Sequence, residues 1–205
     1  MELSVEFMSN IIGALGIVLY MAAPFLSETK KALYARLAGE GLLGLMFFYI
    51  GALPGVSYYL FMIISALFEK RIEGNKVFSF IFGIIACIVT LFINNCGVPG
   101  IILALSLIPV YFHVNEQKML TTAAFMDVIT SVALLYFSYS LHSISGTVFA
   151  AILFLIAMAG LFSAVRLAKG GGLQAAAAEE ALYQKKQAKK RNEVKSAKSA
   201  KKIRK

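Results

Sequence analysis

Glu40 sits in the run ARLAGEGLLGL, Ala35 to Leu45, with apolar residues or glycine on both sides. A carboxylate so placed either pairs with a cation to hold helices together or marks the path of a proton, an ion or a solute. Arg36 lies four residues earlier, on the same face of a helix, so an ion pair is within reach. Asp127 is the other acidic residue inside an apolar run, and its i−4 position is Ala123, which cannot pair with it. Thr130 and Ser131 follow Asp127 at helical spacing, and Ser138 continues that face. An acid at such depth costs about 2.5–3.5 kcal/mol even on a lenient insertion scale. The pattern therefore points to a substrate or ion pathway through Glu40, Asp127, Arg36, Ser131 and Thr130. The alternative is an Arg36–Glu40 pair that stitches the bundle, plus a buried, hydrogen-bonded aspartate.

These residues need apolar helices to hold them. The 205 residues are 59% hydrophobic and 15% charged, with a mean hydropathy of +0.76. A soluble domain holds about 45–50% apolar and about 25% charged residues, so an all-α integral membrane protein is expected. Seven segments approach the length a spanning helix needs. They run Phe7–Leu26, Ala32–Ile50, Ala52–Phe68, Val77–Ile93, Val98–Val114, Met119–Leu141 and Ser145–Leu167. A tight turn containing Pro54 and Gly55 separates the second from the third. The opening MELSVEF carries two glutamates and no basic residue, unlike a cleavable signal.

Basic residues set orientation. Given these spans, all 20 Lys and Arg fall on one side: in the loops after spans one, three and five, in the C-terminal tail, and at Arg36 and Arg166 near the same ends of spans two and seven. The N-terminus is expected outside and the C-terminus in the cytoplasm of a bacterial inner membrane. After Gly170–Gly172 the composition changes to a polybasic tail, so residues 1–168 form the membrane domain and 169–205 the tail. Lys185, Lys186, Lys189, Lys190 and Arg191 are its expected contacts with anionic phospholipid, worth about 1 kcal/mol per basic residue near the surface. Nothing in the tail interleaves aromatics with base charge, so no nucleic-acid partner is expected. Cys87 and Cys96 lie about 13 Å apart on helical geometry, too far for a disulfide. No metal-ligand spacing occurs, and no metal or cofactor is expected.

A shift of 87 residues places Glu40 on Asp127, Lys31 on Lys118, Gly13 on Gly100 and Tyr49 on Tyr136. Two three-helix units, 7–71 and 98–168, then flank a linker helix, 77–93, in a 3+1+3 parallel repeat. Gly39, Gly41 and Gly44 around Glu40 allow close helix approach or room for a ligand. Pro24 and Pro109, near the same end of the first helix of each unit, are candidate hinges. Tyr49, Tyr58, Tyr59 and Tyr136 read as an interfacial aromatic belt.

The run FFYIGALPGVSYYLFMIISALFEKR, Phe47 to Arg71, resembles the bacterial inner-membrane YgjV-type family, and Leu120–Arg166 resembles that family's second half. The resemblance implies kinship with the SWEET, semiSWEET and PQ-loop transporters, and hence a small-solute carrier. The chain has no Pro-Gln dipeptide and no tryptophan, so sugar specificity is not implied. The expected function is a non-enzymatic carrier that alternates access around a midplane site with two carboxylates. The alternatives are a membrane scaffold whose tail binds lipid, and an intramembrane lipid hydrolase. No histidine lies deep in a span to serve the last chemistry. The transported solute, the coupling ion and whether copies associate are left open.

Overall fold

A computed structural model describes residues 4–26, 28–68, 75–113 and 120–169. Among them the chain forms seven α-helices and no strand. They are α1 Val5–Ala22, α2 Thr29–Tyr49, α3 Leu53–Leu67, α4 Lys76–Phe92, α5 Val98–His113, α6 Leu120–Ser140 and α7 Ile144–Lys169. The first compact unit ends at Leu161, and a second begins at Phe162 with the last turns of α7. The tail lysines and Arg191, together with Lys70, Arg71 and Lys118, lie outside the described residues.

Local chemistry sets several helix ends. Ser4 caps α1 by accepting a hydrogen bond from the Phe7 amide, and Asn75 caps α4 through the Val77 and Phe78 amides. At Pro24 the chain tightens into a short 3-10 turn, Ala23–Phe25, that ends α1. Pro109 differs, because α5 runs through it to His113. Its missing N–H leaves one carbonyl of the preceding turn without its helical donor. The turn between α2 and α3 is Ile50–Ala52, with Gly51 at φ 72°. Pro54 and Gly55 therefore do not form that turn. They start α3, where Pro54 loses no helical bond and Gly55 admits the Phe47 ring against its Cα.

Helix α4 is apolar on its outer face and small or polar on its inner one. On α4 the buried residues are Ser79, Gly83, Ala86, Cys87 and Thr90, while Phe78, Phe80, Ile81, Ile85, Ile88 and Phe92 are exposed. Water would expel such a surface and lipid accepts it. Three helices, Val5–Phe25, Thr121–Ser140 and Ile144–Arg166, are long and apolar enough to cross a membrane, which is consistent with a membrane protein.

Polar side chains tie the interior together. Ser57 and Thr90 share a 2.8 Å hydrogen bond between α3 and α4, and the Tyr111 hydroxyl donates to the Phe61 carbonyl at 2.9 Å. Bonds of this kind inside membranes average about 0.6 kcal/mol each, so they fix alignment more than they supply stability. Asn95 clasps two turns at one end, donating to the Gly51 carbonyl and accepting from the Leu53 amide.

Candidate functional site

Glycine sets where Glu40 can stand. A β-carbon on Gly39 would lie 2.7 Å from the Tyr20 nitrogen and 2.9 Å from the Gly16 carbonyl oxygen, so α1 and α2 touch backbone to backbone. Gly16 meets Leu42 and Leu43 across the same seam. Gly41 has open space beside it and Gly44 faces Tyr59, so only Gly39 serves the close approach around Glu40.

Glu40 is 1% exposed. Its Oε1 accepts a hydrogen bond from Arg36 Nε at 2.9 Å, and Arg36 keeps 36% of its side chain exposed. The second oxygen, Oε2, is enclosed and has no hydrogen-bond partner among the described residues. A carboxylate offers about four acceptor positions, so one arginine leaves it half-satisfied. The ion pair that the spacing of 36 and 40 allows is therefore formed, and it does not account for the whole group.

Asp127 departs from the expectation of burial. On α6 it shares a stripe with Ser131, Leu134 and Ser138, which are buried, yet Asp127 itself is exposed. The stripe is thus covered along its outer turns and uncovered near the start of the helix. Thr130 and Ser131 are buried, but their hydroxyls bond back to carbonyls of their own helix, Met126 for the first and Asp127 and Val128 for the second. Each hydroxyl has its donor engaged in this way.

Tyr20 lies within electrostatic range of Arg36, Glu40 and Asp127, and Tyr58 within range of both carboxylates. Tyr58 and Tyr59 are buried, 5% and 3% exposed, and so do not belong to an interfacial belt. Tyr49 and Tyr136 are exposed. Phe47 stacks on Tyr59 with ring centroids 5.8 Å apart and meets Phe137 at 5.4 Å. This aromatic layer, two turns along α2 from Glu40, closes the interior on one side of the carboxylate. Tyr20 could have been read from the Gly13, Gly16, Tyr20 spacing on α1. The burial of Tyr58 and Tyr59 left no local signal, because lipid-facing and buried aromatics look alike in sequence.

Comparison with protein-family models, with curated proteins and with solved structures returned no match. Among the described residues no group of three or more His, Cys, Asp or Glu could hold a metal ion.

Proposed function

We propose that the chain is a small-solute membrane carrier, open toward the end of the bundle that carries Lys30, Lys31 and Arg36. The observation that carries this reading is the change along α6, from buried Ser138, Leu134 and Ser131 to exposed Asp127 on one inward stripe. A purely structural bundle has no reason to uncover an acid on the stripe it packs with. A carrier does, because its site must meet water on one side at a time. In this reading Glu40, with an unpartnered acceptor oxygen, is the inner residue of the pathway, and Arg36 and Asp127 are its outer residues.

The remaining parts of the reading follow from sequence. Seven spans in a 3+1+3 arrangement, with the basic end in the cytoplasm by the positive-inside rule, make this the cytoplasm-open state. The resemblance of Phe47–Arg71 to the YgjV-type family points the same way. Rocking of α1–α3 against α5–α7 would carry the cleft to the other side. A neutral solute moving with a proton, or a cationic solute, suits two carboxylates that share their surroundings.

The test is uptake into sealed vesicles from a panel of labelled small solutes, with and without an imposed pH gradient. Accumulation that requires Glu40 and Asp127 is expected. Vesicles that take up nothing under any gradient, and pass no protons, would overturn the carrier reading.

A further inference from the structure

A cavity lies beside the C-terminal end of α2, away from Arg36. It has a volume of about 360 Å³ and is lined by the first turns of α1, the end of α2 and the turn between α6 and α7. That volume is at the low end of small-molecule pockets, roughly 300–1,000 Å³, and suits a solute smaller than a drug. Ser9 and Ser143 are buried, while Glu6, Tyr49 and His142 are exposed.

The polar groups here are unevenly committed. Asn10 spends its side-chain oxygen on the Ser145 amide at 3.0 Å and hydroxyl at 3.2 Å. Its amide nitrogen, the Glu6 carboxylate and the His142 imidazole make no hydrogen bond or ion pair among the described residues. His142 holds a left-handed backbone conformation, φ 54°, which a side chain resists and glycine would relieve. Below the cavity, the Ser143 and Ser138 hydroxyls both flank Gly146, and Ser138 Oγ is fully enclosed without a partner among the described residues. The Ser143 hydroxyl itself accepts from the Gly146 amide at 3.3 Å.

The charge balance selects the ligand. Glu6 is the one formally charged residue of the lining. Arg36 is thirteen residues from Tyr49 along α2, about 20 Å, roughly twice the screening length at physiological salt. Among the described residues, no lysine or arginine shares the lining with Glu6. Tyr49 adds a phenol ring, whose face attracts a cation.

We propose that this cavity binds a small organic ammonium ion, with Glu6 as its charge partner and Tyr49, Asn10 and His142 as its walls. The site does not depend on whether the chain moves its ligand across the membrane.

The chain has no tryptophan, so Tyr49→Trp makes a single reporter inside the cavity. Purified full-length Y49W protein is titrated with choline chloride, against sodium chloride at equal ionic strength and against glucose. A saturable emission change with choline alone is expected. Glu6→Gln should raise the half-saturating concentration about tenfold or more, the loss of one charge-assisted contact, with the melting temperature unchanged. Choline protection of Val5→Cys, a lining position with no binding role assigned to its side chain, from maleimide in a Cys87→Ser, Cys96→Ser background gives an independent readout. No saturable response in either assay, an equal response to sodium, or an E6Q variant that binds as before would overturn the proposal. Glu40→Gln should leave binding here intact while abolishing uptake. Binding without any uptake therefore rejects the carrier and keeps this site.

Discussion

Arg36 Nε and Glu40 Oε1 meet at 2.9 Å across one helical turn, and the other oxygen of Glu40 is enclosed without a hydrogen bond among the described residues. The pair thus answers half of the carboxylate's demand. Glu40→Gln keeps the size and removes a buried charge, so the melting temperature should hold or rise while uptake is lost. Arg36, being partly exposed, can relax toward the surface when its partner is neutral. The double variant Arg36→Gln, Glu40→Gln should therefore remain inactive. Uptake restored to the wild-type rate in the double variant would assign Glu40 a structural role alone.

Asp127 tests the cleft directly. In a Cys87→Ser, Cys96→Ser background, Asp127→Cys should react with a membrane-impermeant thiol reagent applied from the basic end. Glu40→Cys, at a 1% exposed position, should react on the order of tenfold or more slowly. A thiol at 127 that reacts from neither side would mean the position faces lipid, and the cleft would be lost with it.

Gly39 and Gly41 separate packing from propensity. At Gly39 a β-carbon meets backbone of α1 that cannot yield, so Gly39→Ala should destabilise by about 1–3 kcal/mol. At Gly41 the added methyl meets open space, and helix propensity favours alanine by about 1 kcal/mol. Denaturant unfolding in detergent should therefore move in opposite directions for the two variants.

Topology is checked with single cysteines at Ser4 and Ser199, which should label from opposite faces of the membrane. Both native cysteines are removed first. Left in place, the Cys96 thiol, which burial holds above its usual pKa, would add a slow background rather than a fast one. Labelling of both positions from one face would remove the orientation and the repeat together.

Truncation after Lys169 should leave insertion and uptake intact, since the tail has no apolar face to pack. It should weaken binding to anionic vesicles, with a difference that shrinks as salt rises. Loss of insertion in the truncated chain would make the tail part of the fold.

Local physics decided much of this protein in advance. Hydropathy and turn residues placed seven helices within a few residues of their ends, and Ser4 and Asn75 supply caps that depend only on their neighbours. The Arg36–Glu40 pair was legible too, because four residues of helix bring the two side chains together whatever surrounds them. Tertiary packing decided the rest. In a membrane domain the lipid-facing and inward stripes are both apolar, so sequence does not say which side of α3 hides Tyr58 and Tyr59. Asp127 lies on an inward stripe by period, and only the packing of whole helices leaves it uncovered. Gly39 and Gly41 differ by one α1 backbone that touches the first and misses the second. Glu6 and His142 stand 136 positions apart in the chain and line one cavity because α1 meets the turn after α6. No periodicity carries that meeting, since it depends on how whole helices pack rather than on any local spacing.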